Sequence, residues 1–174
     1  MAVSRSSFFR SRVPIRYPLA VVVQERCNRM NKREDIAYML GITTECQPTA
    51  PRTLAVVGLS GDPAKPSHSV SAYMQLHGYR ILPINPALDE VLGERTYGSL
   101  SDLVQAGIRP DVVNVFRLPK FIPSIVEEMI TVGLNDLWVQ LGIMNRDAAD
   151  RAEQAGMRVV MDRCILIEHS RLTR

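Results

Sequence analysis

The chain has 174 residues, 46% of them apolar and 22% charged, enough for one domain with a sizeable core. Its formal charge of +3 comes from residues 1–29, which hold six arginines and one acid. The other 15 basic and 17 acidic residues leave a body of net −2, which argues against nucleic-acid binding.

No apolar run approaches the ~18 residues of a membrane span. Cys27, Cys46 and Cys164 are far apart and odd in number. They support neither a zinc site nor a disulfide framework, so no metal is expected, and a reducing compartment, the cytoplasm, is.

Residues 1–29 read as a basic leader, disordered, rich in Arg and Ser and broken by Pro14 and Pro18. Transit peptides share that composition, so organelle targeting stays open beside a cytoplasmic location. Residues 30–51 read as an N-terminal helix and a linker. In MNKREDIAYMLG, Ile36, Met39 and Leu40 share one face and Gly41 is a stop signal, while TTECQPTAPR carries turn formers and two prolines.

Residues 52–174 then alternate strand and helix. Thr53 to Gly58 is strand one. Ser67 to His77 is a helix, with Val70, Tyr73, Met74 and His77 on its core stripe. Tyr79 to Ile84 is strand two, stopped by Asn85-Pro86, and a loop leads to a short helix near Leu100 to Gln105. Asp111 to Phe116 is strand three. Pro119 to Val132 is a helix with Phe121, Ile122, Ile125, Val126, Met129 and Ile130 on one stripe and Pro123 in its first turn. Asp136 to Gln140 is strand four. Asn145 caps a helix whose Ala148, Ala149, Ala152 and Ala155 face the core. Met157 to Met161 is strand five, and a short helix spans Cys164 to His169.

Five apolar strands joined by helices predict an α/β fold: a Rossmann-like, doubly wound, five-stranded parallel sheet with helices on both faces. In such folds ligands sit beyond the C-terminal strand ends, at the switch point beside strand one. Gly58, Asn85, Phe116, Arg117 and Gln140 are expected to gather there.

The turn after strand one, GLSGDPAKPS, matches neither a P-loop nor a GxSxG elbow. It also lacks the third-position glycine and the acid after strand two that mark a dinucleotide fingerprint. It still suits a pyrophosphate. Gly58 permits close backbone approach, Ser60 and Ser67 supply hydroxyls, Lys65 supplies charge, and a helix N-terminus attracts anions.

These segments together resemble the small CoA-binding protein family, which is itself similar to the CoA-binding domain of the succinyl-CoA synthetase α subunit. The resemblance runs from Arg52 to Leu172. It is carried by LAVVGLS, the Pro66-Ser67 pair, HGYRILPINP, DVVNVFRLP, WVQLG and VVMDRCILIEHSRL. It implies coenzyme A, or an acyl-CoA, bound at the C-terminal edge of the sheet. Gly58, Leu59 and Ser60 would lie on the pyrophosphate, with Lys65 and Ser67 nearby. Asn85 and Pro86 would border the nucleotide. Phe116 and Arg117 would form the other wall, with Gln140 and Gly142 completing the site. A 3′-phosphate would be repelled by a carboxylate after strand two, which accounts for the missing ribose acid.

Nothing in the chain supplies the synthetases' second domain and its phosphorylated His. His68 could touch the ligand, His77 reads as structural, and His169 as a surface or packing residue. Asp162 is expected to cap the last helix and pair with Arg163. Cys164 reads as buried and inert, or as a thiol activated by a helix N-terminus. The leading function is non-catalytic CoA binding by a monomer or dimer, with no catalytic constellation and an unidentified protein partner possible. The alternatives are an NAD(P)- or CoA-dependent enzyme subunit acting with a partner chain, and a sensor using Cys164.

Overall fold

A computed structural model describes residues 30–42 and 52–174. The leader, and the linker from residue 43 to 51, lie outside the described residues.

Helix α1 (Arg33–Met39) is followed by β1 (Thr53–Val57), α2 (Pro66–Leu76) and β2 (Arg80–Ile84). A short hairpin, β3 (Glu90–Val91) and β4 (Glu94–Arg95), precedes α3 (Leu100–Gln105) and β5 (Val112–Val115). A 3-10 turn (Pro119–Phe121) leads into α4 (Ile122–Val132). Then come β6 (Asp136–Val139), α5 (Arg146–Gln154), β7 (Arg158–Val160) and α6 (Ile165–Leu172).

The five longer strands form one parallel sheet in the order β2-β1-β5-β6-β7. That is the doubly wound arrangement expected, and the chain reverses direction across the sheet between β1 and β5. Alternate strand residues serve opposite faces. Ala55, Val113, Leu137 and Val159 pack with α3, α4 and α5 on one side. Leu54, Val56, Val112, Trp138 and Val160 pack with α1, α2 and α6 on the other. Helix α1 is therefore part of the second core: Asn31 exchanges hydrogen bonds with Met161 N and O, and the Tyr79 hydroxyl donates to Leu40 O at 2.5 Å.

Pro83 shows why β2 stands at the sheet edge. Proline has no N–H to offer a second neighbour, so it is tolerated on an edge strand. The loop expected after β2 instead holds the β3–β4 hairpin and then covers part of that edge: Tyr97 N donates to Pro83 O and Asn85 N to Tyr97 O. Covering an open edge in this way blocks pairing with other chains. Two-residue strands are too short to leave a periodic signal, which is why the sequence does not reveal them.

Helix ends account for two further differences. His77 is exposed, because α2 ends at Leu76 and His77 is its C-cap. Ala155 is exposed for the same reason at the end of α5. Phe121 and Ile130 are half-buried rather than fully inside. The Asn145 cap forms as expected, accepting from Ala148 N at 3.0 Å. Trp138 is fully buried in the core, its indole N–H donating to Arg163 O at 2.8 Å.

Candidate functional site

Beyond the C-terminal ends of β1, β5 and β6 lies a cleft of about 610 Å³. It is lined by the turn after β1 (Gly58, Ser60), the start of α2 (Lys65, Pro66, Ser67, Val70), Phe116 after β5, the loop after β6 (Gln140, Leu141, Ile143) and Cys164. Its polar lining is Ser60, Ser67, Gln140 and one cation, Lys65, and its apolar lining is Pro66, Val70, Phe116, Leu141 and Ile143, with the Cys164 thiol beside them.

The β1 turn is held in shape by its own hydroxyls. Ser67 is buried and does not cap its helix; its Oγ accepts from Ser60 N at 3.1 Å. Ser60 Oγ in turn accepts from Asp62 N at 3.1 Å. The N-cap position of α2 is Lys65, with no side-chain capping bond, and Pro66 takes the first helical position, where a missing N–H costs little.

Gly58 has φ +86°. A Cβ there would lie 2.8 Å from Arg117 Cδ and 2.9 Å from the Phe116 carbonyl oxygen. The close approach that requires glycine is thus between the β1 turn and the chain after β5, across the switch point, rather than toward the open cleft.

The other expected site residues fall into two groups. Leu59 is fully buried, and its carbonyl accepts from Asn85 Nδ2 at 2.8 Å, so these two bind the β1 turn to the end of β2 and neither lines the cleft. Gln140 lines the cleft but is spent on the protein: its Nε2 donates to Asn114 Oδ1 at 2.7 Å, and its Oε1 accepts from Ile165 N at 3.3 Å. Gly142 N donates to Asp162 Oδ1 at 2.7 Å, tying the loop after β6 to the end of β7. Pro86 and Arg117 are exposed and outside the cleft lining; the Arg117 guanidinium lies 4.6 Å over the Phe121 ring.

Asp162 therefore does not cap α6, whose N-cap is Cys164, and Arg163 pairs with Glu168 at 3.6 Å instead of with Asp162. Cys164 is half-buried, not sealed in the core, and its position on the cleft wall follows from that N-cap placement. His68 does not line the cleft. His169 is buried and accepts or donates a hydrogen bond with the Tyr73 hydroxyl at 3.1 Å. Burial, with a smaller contribution from nearby His77, lowers its pKa below the usual imidazole value.

Val70, Pro66, Leu141 and Ile143 are the lining residues that sequence reasoning missed. Apolar side chains carry no chemical signature, so only their position past the strand ends could have indicated them.

The molecule is an open, doubly wound α/β protein with a cleft at its switch point, the place where such folds take ligands. The CoA binding domain family model matches residues 52–170, and the chain belongs to that family. It is 40% identical over 119 residues to the uncharacterized protein YneT of Bacillus subtilis, a match covering 68% of this chain and 86% of that one. A hypothetical protein from Pyrococcus horikoshii superposes with a TM-score of 0.71 at 34% identity, covering 82% of this chain and 93% of that one. A Thermus thermophilus protein superposes with a TM-score of 0.68 at 33% identity, covering 82% and 99%. No helix among the described residues is long and apolar enough to cross a membrane.

Proposed function

We propose that this chain binds coenzyme A or an acyl-CoA in the switch-point cleft and does not itself catalyse a reaction. The observation that carries the proposal is the pairing of two chemistries in one cleft. Lys65, Ser60 and Ser67 suit a phosphate-bearing group, and Val70, Phe116, Leu141 and Ile143 suit an apolar arm. Coenzyme A has both parts: phosphates at one end and, leading to the thiol at the other, a pantetheine arm whose methyl and methylene groups alternate with two amides.

In this reading Gly58, Leu59 and Ser60 shape the backbone that meets the pyrophosphate. Lys65 supplies charge, and Ser67 holds the turn. Asn85 and Pro86 border the nucleotide. Phe116 is a wall, and Arg117 reaches in from the rim to pair with a phosphate, a strong charge-assisted contact. Gln140 and Gly142 act as positioning residues for the loop after β6. The family match supports the ligand class, and the cleft supports this location for it.

Calorimetric titration with CoA, dephospho-CoA and NAD tests the proposal. CoA should bind, and dephospho-CoA should bind about tenfold more weakly, a difference of about 1.4 kcal/mol. Binding of NAD without CoA would overturn it and favour the enzyme-subunit alternative.

A second reading is favoured by one observation, the half-buried free thiol of Cys164 on the cleft wall. Its thiolate could attack a CoA disulfide, forming a mixed disulfide and releasing one CoA as its thiolate. Intact mass after incubation with CoA disulfide decides this: an adduct that Cys164→Ser abolishes supports it, and an unmodified chain removes it.

A further inference from the structure

A second concavity, of about 380 Å³, shares no lining residue with the switch-point cleft. Arg33 and Ile36 of α1, Arg163 before α6, and Glu168, Arg171 and Leu172 of α6 wall it. Three guanidiniums there face one carboxylate. That carboxylate does not use the cations up. Glu168 has a buried side chain, 8% exposed, and Arg163 Nη1 stands 3.6 Å from its Oε1. Arg171 reaches Glu168 through Nη1, at 3.4 and 3.5 Å. Committed guanidiniums elsewhere in the molecule look different. Arg158 grips Asp136 through Nε and Nη2 at 2.5 and 3.0 Å, and Arg151 grips Glu127 through the same two nitrogens at 2.7 and 3.2 Å. Most N–H donors of Arg163 and Arg171 are therefore left for another acceptor. The Arg33 side chain has no hydrogen-bond or ion-pair partner among the described residues. Its neighbour Asp35 interacts with Lys32, Arg158 and Asp136 and does not line the concavity.

Like charges gathered from α1 and from the far end of the chain repel one another unless an anion lies between them. We propose that this concavity binds a small organic phosphate monoester. At neutral pH such a group carries a charge of about −1.5 to −2 and three strong acceptor oxygens. That charge offsets the excess of guanidinium over carboxylate on the lining. The planar fork of arginine also matches phosphate oxygens in pairs. Ile36 and Leu172 give the carbon side of the ester an apolar wall. The site is separate from the cleft, so it stands whether or not the cleft takes CoA.

The test is calorimetric titration of the full chain with phenyl phosphate and with succinate, at constant ionic strength. It is repeated on Arg33→Gln, on Arg33→Gln/Arg171→Gln and on Lys65→Ala. Arg33 and Arg171 are exposed, and Arg33 has no partner to lose, so the variants should fold. Phenyl phosphate should bind with a Kd of about 1 mM or tighter, the weak end of specific binding. The double variant should bind at least about tenfold more weakly, because charged hydrogen bonds are the strong ones. Arg33→Gln alone should also weaken binding, and Lys65→Ala should leave it unchanged. No saturation by about 10 mM overturns the proposal, as does equal affinity in the double variant. Loss of binding in Lys65→Ala would assign the phosphate to the cleft and overturn it. Succinate binding as tightly as phenyl phosphate would overturn the phosphate class. Prior addition of CoA should not displace phenyl phosphate; displacement would assign the concavity to a phosphate of CoA itself and overturn a separate site.

Discussion

Ser67 Oγ accepts a hydrogen bond from Ser60 N at 3.1 Å, joining the first turn of α2 to the loop that follows β1. The bond closes the loop with the protein's own atoms and so holds Ser60 and Ser67 in place on the cleft lining. Preorganisation matters because ordering a loop on binding would subtract from affinity.

Ser67→Ala removes the acceptor and leaves Ser60 N without it. The variant should lose about 1–2 kcal/mol of stability, the scale of a lost hydrogen bond with a stranded partner. In urea unfolding the midpoint should fall. In calorimetry CoA affinity should fall by more than that stability loss alone would cause, since the variant still folds. Unchanged affinity would separate the turn from the site.

Gly58→Ala should be more damaging. A left-handed φ costs a non-glycine residue roughly 1–2 kcal/mol, and the new Cβ would meet the Phe116 carbonyl, which is backbone and cannot swing away. A loss of about 2 kcal/mol or more is expected in urea. Adding Arg117→Ala should not rescue it, because the carbonyl remains. Full rescue would show that only the arginine stem crowds the site.

Gln140 and Asn114 form a buried pair whose other end reaches α6. Gln140→Leu strands the Asn114 oxygen and should cost about 1–3 kcal/mol. The double variant Gln140→Leu/Asn114→Val removes both polar groups and should recover part of that loss. A double-mutant cycle by urea unfolding measures the coupling; additive losses would mean that the pair does not interact.

Lys65→Ala and Arg117→Ala separate the two cations of the proposed phosphate end. Each should weaken CoA binding by about 1.5–3 kcal/mol if it makes a charged hydrogen bond. Both are exposed, so melting temperature should barely move. An Arg117 variant of normal affinity would leave its guanidinium with Phe121 alone and take it out of the site.

His169 gives the stability a pH dependence of known sign. Its folded pKa lies below the ordinary 6.5, so the unfolded chain takes up the proton first as pH falls. The stabilisation is complete above about pH 6.5 and is lost as pH drops through the folded value. Urea midpoints measured from pH 7.5 to 5 should therefore fall for the natural chain. His169→Gln should flatten that fall, and an equal slope in both proteins would assign the dependence to other groups.

The strands and the main helices could be read from local pattern. Apolar runs such as Leu54 to Val57, and Val112 to Val115 interrupted only by Asn114, identify buried parallel strands without any tertiary information. Element ends were less visible. His77 and Ala155 continue the helical period of the core stripe, but each is the C-cap one residue past its helix and is exposed. The polar side of the cleft, Gly58, Ser60, Lys65 and Ser67, was legible because those residue types have few reasons to follow a buried strand. Its apolar side was not, because Val70, Leu141 and Ile143 look the same in a core and in a cleft.

The sequence by itself therefore determined the layered α/β architecture, the turn after β1 and the family, all properties of residues close in the chain or of a long matched pattern. Only the tertiary structure decided what each residue faces. It turned Gly58 against Phe116 and Arg117, committed Gln140 to Asn114 and Ile165, and placed Cys164, read either as buried and inert or as an activated thiol, half-buried on the cleft wall. Those outcomes depend on strands far apart in sequence lying side by side, and no local periodicity encodes which atoms then meet.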